Sequence, residues 1–256
     1  MNILVLGDII GENSVKKVKE ILPNAIKENN IDFVIANGEN SADGMGITSK
    51  IFKDLMCSGV NVVTMGNHTW GKKDIFNIIE NKNLLRPANY PRDVLGNGYG
   101  IYECKNKKIA VINLIGRVDM NVLSENPFIV VEDIVNNIKN DVDIIIVDFH
   151  AEATAEKIAM GYYLDGKITA LFGTHTHVQT ADEKILPNGT GYITDIGMTG
   201  PKNSVIGMNI QASIKRFETT LPERYKIAEG EAILNGVIFE IDNETCKVKA
   251  IKRIQV

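Results

Sequence analysis

Thiols and imidazoles are scarce in this chain: three cysteines and four histidines in 256 residues. Cys57, Cys104 and Cys246 are odd in number and widely spaced, and none sits in a Cys-x-x-Cys pair. That excludes a disulfide framework and a thiolate zinc site, and it makes the cytoplasm the expected compartment. The three read as small buried apolar residues. Excess positive charge is also missing. Lys and Arg number 28 against 32 Asp and Glu, for a net charge of −4, which argues against a broad phosphate-binding face while leaving room for a local basic pocket. The longest apolar runs, such as "DIIIVDF", are too short to cross a membrane. "MNILVLGD" has neither a basic n-region nor a small-residue cleavage site, so no secretory signal is expected. No internal repeat or low-complexity tract is found.

What is present is an alternation of strand-like and helix-like segments. "NILVLG", "DFVIAN" and "VNVVTMG" are buried strands, separated by helices over "ENSVKKVKEILPNAIKEN" and "GITSKIFKDLMCSG" and followed by one over "KDIFNIIEN". Pro23 falls inside the first helical pattern and predicts a kink or break. Thr48 or Ser49 is placed to cap the second helix, with Gly59 beyond its end. This β-α-β-α-β order predicts parallel strands with right-handed crossovers. "LLRPANYPRDVLGNGYG" is read as loop, and "GIYEC" and "KIAVINLIG" as antiparallel neighbours. "NPFIVVEDIVNNIKN" is read as helical in its second half. Further on come the strand "DVDIIIVDFH", the helix "EATAEKIAMGYYLDG", the strand "ITALFG" and two hairpins turning at "PNGTG" and "DNET". The predicted fold is α/β: two mixed sheets packed as a sandwich flanked by helices. It forms one domain over 1–256, with 196–230 a polar, partly helical insertion or cap that interrupts the strands.

The chemistry collects where strands end. Asp8 follows the first strand, Glu39 and Asn40 the second, Asn67 and His68 the third. His150 ends a later strand, and His175 and His177 follow "ITALFG". Ligands gather at the carboxyl ends of parallel strands, because the loops converge there. Oxygen and imidazole donors without thiolates suit Mn, Fe, Zn or Co better than calcium or a structural zinc. On an extended segment, His175 and His177 would point the same way, roughly 6.5–7 Å apart. Each piece alone has a bland reading: Asp8 a helix cap, "NHT" a turn, His150 a bonded core histidine. Together they use every histidine in the chain.

The motifs G-D8-I-I, G-E39-N40, G-N67-H68-T, D-F-H150 and G-T-H175-T-H177 resemble those of the calcineurin-like metallophosphoesterases. With "ANGEN", "GNHTWG", "RPANYP" and "DFHAEATAEK" the chain is similar to the YmdB-like bacterial branch. Two positions depart from the superfamily pattern: Ile10 stands where a histidine ligand belongs, and Glu39 where a bridging aspartate belongs. The Asn40 carbonyl can supply the lost donor, and Glu39 can still bridge.

The resemblance implies two divalent ions, Fe or Mn before Zn. Asp8, Glu39, Asn40 and His177 would hold one, and Glu39, Asn67, His150 and His175 the other. It implies a phosphodiesterase acting on 2′,3′-cyclic or 3′,5′-cyclic nucleotides by attack of a hydroxide generated between the ions, with His68 as general acid. Asp148, Glu152 and Asp195 are candidates to orient the imidazoles. Competing readings are a phosphomonoesterase drawing on Arg86, Arg92 or Arg117, and a nucleotide-sensing regulatory protein with little turnover. A dinucleotide-binding fold is weaker, since "GDIIGE" lacks G-x-G-x-x-G. A small phosphodiester is the expected partner. An RNA end and assembly into a homo-oligomer stay open, and no membrane is expected.

Overall fold

The computed structural model describes residues 1–224 and 226–256. Its strands are β1 (Asn2–Leu6), β2 (Asp8–Ile9), β3 (Phe33–Asn37), β4 (Val62–Thr64), β5 (Leu84–Leu85), β6 (Tyr99–Cys104), β7 (Lys107–Ile115) and β8 (Ile144–His150). They continue with β9 (Ala170–Thr174), β10 (Lys184–Ile185), β11 (Gly191–Ile193), β12 (Met198–Pro201), β13 (Ala232–Ile233), β14 (Asn235–Ile241) and β15 (Val248–Gln255). The α-helices are α1 (Gly11–Glu28), α2 (Ser49–Cys57), α3 (Pro127–Ile138), α4 (Thr154–Leu164) and α5 (Ile210–Thr219).

Two six-stranded mixed sheets carry the fold, ordered β15-β14-β1-β3-β4-β5 and β10-β11-β9-β8-β7-β6. Alternation along β1 shows how they pack. Ile3 and Val5 face the second sheet and join Val111, Ile146 and Phe172 in the central core. Leu4 and Leu6 face the other way, onto Val18, Leu22 and Leu55 of α1 and α2. The second sheet turns Ile112, Val147 and Leu171 outward onto α3 and α4. Two faces per strand, each apolar, are what continuous runs such as "ILVL" require. The expected sandwich of two mixed sheets between helices is therefore the observed one, and β1, β3 and β4 run parallel.

Several local expectations need correction. Pro23 lies within α1, which is continuous. Pro23 and Lys19 are both exposed, so the carbonyl that the proline leaves unbonded meets water. "KDIFNIIEN" forms only a 3-10 turn over Lys73–Asn77. α3 starts at Pro127, capped by Asn126, so its first half is helical too. Segment 196–230 does not simply interrupt strands. It opens with β12, which pairs in parallel with β2 at Met198↔Asp8 and completes a third, three-stranded sheet, β13-β12-β2. Cys57 is exposed, and Cys104 and Cys246 are partly buried, so the cysteines are not the buried residues their type predicts.

Candidate metal centre

The two sheets present their strand ends to one place. β2 supplies Asp8, and the turn after β3 supplies Glu39 and Asn40. The turn after β4 supplies Asn67 and His68, β8 ends in His150, and the loop after β9 carries His175 and His177. All eight residues named from the sequence meet here.

Glu39 is at the middle of the constellation. Its Oε1 lies 3.1 Å from His150 Nε2 and accepts from Asn40 Nδ2 at 3.3 Å, and its Oε2 accepts from the His68 backbone N–H at 2.9 Å. On one side, Asn67 Oδ1 and His175 Nδ1 stand 2.9 and 3.0 Å from His150 Nε2. Glu39, His150 and His175 each bring one donor atom within 4.8 Å of the others. On the other side, His177 Nε2 is 3.3 Å from Asp8 Oδ2 and 3.2 Å from Asn40 Nδ2. Asn67, His150 and His175 thus stand on one side of Glu39, and Asp8, Asn40 and His177 on the other, linked to Glu39 through Asn40 Nδ2; among the described residues only Glu39, His150 and His175 close to within 4.8 Å.

The histidine loop is not the extended segment expected from its spacing. β9 stops at Thr174, and His175 and His177 both have positive φ, +97° and +65°. That costs of order 1–3 kcal/mol per residue and is held by surrounding bonds. The turn lets His175 present Nδ1 while His177 presents Nε2. Each ring's other nitrogen is occupied: His175 Nε2 is 3.2 Å from Glu152 Oε2, and His177 Nδ1 donates to the Ile206 carbonyl at 3.0 Å. His150 Nδ1 donates to Thr174 Oγ1 at 2.9 Å, and that hydroxyl donates to Asp148 Oδ1 at 2.7 Å. His150 Nε2 therefore faces Glu39 and Asn67, and it is the nitrogen that would offer a lone pair to an ion once its proton is lost. Of the three orienting acids expected, Glu152 reaches its histidine directly and Asp148 acts through Thr174. Asp195 holds the loop by accepting from Thr176 N and Oγ1.

The charges are mutually tuned. Burial opposes ionisation of Glu39, but His150 and His68 outweigh it and hold the carboxyl down at about 2. Burial likewise opposes the His150 imidazolium, yet Glu39, Asp8 and Asp148 push it up to about 9. His175 is driven down to about 3, by burial first and then by the positive His150. Burial first, with the nearby Asp8 carboxylate, lifts Asp148 to about 7, against the bonds from its two threonines and the positive His150.

Three observations show that these residues fit divalent ions. The Asp8 carboxylate is fully buried, neither oxygen accepts a hydrogen bond among the described residues, and the His177 ring lies 3.3 Å from Oδ2, an arrangement that a bound cation would compensate. The donors are oxygens and imidazoles. Gly66 leaves space that no other residue can: a Cβ there would lie 2.4 Å from Glu39 Oε2 and from His150 Nε2. Ile10 is buried and packs on Gly207, so its position adds no donor. Asn40 turns its amide nitrogen to the site and its Oδ1 to His68 Nδ1, at 2.7 Å.

Sequence reasoning missed Thr174, Thr64 and Lys157. The Thr64 and Thr174 hydroxyls bond the two oxygens of Asp148, and buried Lys157 donates to Asp195 at 2.7 Å. Only the tripeptide Thr174-His175-Thr176 pointed toward any of them. Trp70 stacks against Phe76 and Tyr90, with centroids 5.8 and 6.2 Å away, a stack in which Tyr90 is buried and Trp70 and Phe76 are exposed. Arg86 is buried, and its guanidinium bonds the carbonyls of Pro87, Val94 and Leu95.

A two-sheet sandwich with this donor set at its strand ends is of the metallophosphoesterase class. Residues 4–254 match the model of the family described as YmdB-like protein, and the chain belongs to that family. A 2′,3′-cyclic-nucleotide 2′-phosphodiesterase of Bacillus subtilis (strain 168) is 47% identical over 257 residues, covering 100% of this chain and 97% of that protein. The crystal structure of a phosphatase from Mycoplasma pneumoniae aligns with a TM-score of 0.94 at 40% identity, over 100% of this chain and 93% of that one. A hypothetical protein from Thermus thermophilus aligns equally well, with a TM-score of 0.94 at 35% identity, over 100% and 99%.

Proposed function

We propose that this protein is a metal-dependent phosphodiesterase that opens 2′,3′-cyclic nucleotides. The observation that carries the reading is the bare, buried Asp8 carboxylate beside the Glu39-centred donors. One ion is assigned to Asp8, Glu39, Asn40 and His177, and the other to Glu39, Asn67, His150 and His175. Two such divalent ions, when bound, polarise a phosphoryl group and make water a nucleophile near neutral pH. Iron or manganese is proposed ahead of zinc, because the donors include amide and carboxylate oxygens and no thiolate. Three unpaired cysteines support a reducing, cytoplasmic setting. Residues 1–256 are taken as one domain in which 196–230 caps the site.

Hydrolysis joins the oxygen of water to phosphorus and breaks one ribose ester bond, whose oxygen must take up a proton. His68 is the proposed donor. Glu39 fixes its backbone N–H, and its ring Nδ1 lies against Asn40. To act as an acid the ring must start as the imidazolium: Nδ1–H donates to Asn40 Oδ1 at 2.7 Å, and Nε2–H is the proton free to reach a leaving oxygen, its loss leaving the neutral ring. Asn40 thus holds the orientation of the acid. Asp148, through Thr174, keeps the proton of His150 on Nδ1.

The phosphomonoesterase alternative needs cations for a second phosphate charge, and Arg86 is already committed to backbone carbonyls. A sensor with little turnover leaves His68 without a task. Rates on 2′,3′-cyclic AMP, 3′,5′-cyclic AMP and p-nitrophenyl phosphate, with Mn²⁺ or Fe²⁺ supplied, test the reading. Preference for 2′,3′-cyclic AMP, with a loss of at least about 100-fold in His68→Ala, supports it. Equal or better use of p-nitrophenyl phosphate, or no turnover of any of the three, overturns it.

A further inference from the structure

A second pocket opens against the back of His177. Its volume is about 180 Å³, and its walls include Ile206, Met208, Phe217, Arg216 and Arg224. It shares a wall with the metal centre, since His177 faces Asp8 on one side and bonds the Ile206 carbonyl at the pocket rim on the other. Helix α5 forms the outer wall. None of its residues is buried, and Asn209 caps it by accepting from Ala212 N. Phe217 is 79% exposed, so its ring face is open to a stacking ligand.

Charge narrows the choice of ligand. Arg216 and Arg224 make no ion pair among the described residues, and their guanidinium groups bond to nothing there. The one carboxylate in the pocket, Glu223, is taken by Lys215 at 2.5 Å. In a chain of net charge −4, two unpaired guanidiniums beside an apolar slot fit an aromatic ligand that carries phosphate. The groove on the other flank of His177 differs: its cation, Arg253, is held by Glu183 at 2.9 Å. A free cyclic mononucleotide has a single phosphate, and the centre itself receives it. The two arginines call for a second one.

We infer that the pocket receives the end of an RNA chain terminating in a 2′,3′-cyclic phosphate. The terminal base stacks on Phe217, and the preceding phosphodiester lies on Arg216 and Arg224. The inference rests on the proposed phosphodiesterase activity and names its substrate class. Arginines and an exposed aromatic are a recurrent pairing for single strands: the base face stacks on any ring, and the guanidinium binds the backbone.

The test compares kcat/KM for 2′,3′-cyclic AMP with that for the dinucleotide ApA ending in a 2′,3′-cyclic phosphate, using the full chain with Mn²⁺. The wild type is expected to favour the dinucleotide by about 10-fold or more. In Arg216→Ala/Arg224→Ala that ratio falls toward one, and Phe217→Ala raises KM for the dinucleotide by about 5-fold or more. All three side chains are exposed, so the fold does not depend on them. As a second readout, fluorescently labelled ApA should bind chelator-treated wild type and lose at least about 10-fold in affinity in the double variant. An unchanged substrate ratio in the double variant, or no dinucleotide preference in the wild type, overturns the inference. If 2′,3′-cyclic AMP is hydrolysed and the dinucleotide gains nothing, only this inference fails. If neither is hydrolysed, the phosphodiesterase reading fails with it.

Discussion

The Lys157 ammonium donates to Asp195 Oδ2 at 2.7 Å, and both side chains are fully buried. The same oxygen accepts from the backbone and hydroxyl of Thr176, while Oδ1 accepts from Gly197 N at 2.8 Å. Thr176 lies between His175 and His177, the two residues with positive φ. A helix on the outside of the sandwich therefore clamps the loop that presents two imidazoles.

Breaking that pair leaves a buried charge without its partner. Lys157→Met should cost about 3–5 kcal/mol of stability, measured by urea denaturation of the metal-free protein. Lys157→Met combined with Asp195→Leu should cost less than the two single changes added, by at least about 1 kcal/mol. Strict additivity would mean that the pair is not a unit.

Asp8 should trade stability for function. Without metal its carboxylate is buried and unbonded, so Asp8→Asn should stabilise the chelator-treated protein by about 1–2 kcal/mol. With Mn²⁺ present the order should reverse, because only the wild type gains the free energy of ion binding. Thermal unfolding in the two conditions reads this directly. A lower melting temperature of Asp8→Asn in chelator would contradict it.

Gly66 is needed for space. Its φ is not positive, so alanine fits the backbone there, yet a Cβ would collide with Glu39 and His150. Gly66→Ala should lower metal affinity by about 10–100-fold or more, as judged by competition with a chelator. Wild-type affinity would show that the cluster can yield.

The metal-free protein should weaken as pH rises. His150, raised from 6.5 to about 9, contributes stability fully below 6.5 and loses it as pH climbs through about 9. Asp148, raised from 3.8 to about 7, acts in the same direction: its contribution is complete below 3.8 and gone above about 7. Glu39, lowered from 4.5 to about 2, contributes above 4.5 and is lost only in strong acid. His175, lowered from 6.5 to about 3, opposes His150 and Asp148 by costing stability as pH falls below 6.5. The comparison is therefore made from that value upward: denaturation in chelator at pH 6.5 and at pH 9.5 should show the lower stability at pH 9.5. Metal binding at pH 7.5 should release about one proton, since His150 must lose its Nε2 proton to offer a lone pair. An unbuffered titration without acidification would contradict this.

The strands and most helices were legible in the sequence because their periodicity is local. "ILVL" states that both faces of β1 are covered, whereas the start of α3 was read too late although Asn126-Pro127 marks it. The donors were legible because each ends a strand. What stayed hidden depends on contacts distant in sequence. No local signal says that Lys157 meets Asp195, that β12 pairs with β2, or that the Lys19 carbonyl opposite Pro23 is in water. The His175–His177 turn looked like a strand because positive φ at histidine has no compositional mark. The resemblance supplied the pairing of donors into two groups, which spacing alone leaves undetermined.

The central claim is that Glu39 joins two ion sites, and metal stoichiometry tests it most directly. Anaerobically purified protein given Fe²⁺ or Mn²⁺ should hold about two ions per chain by elemental analysis, and Glu39→Gln about one or none, with activity gone. Wild type that binds no transition metal, or Glu39→Gln that keeps two ions and full activity, would contradict the account.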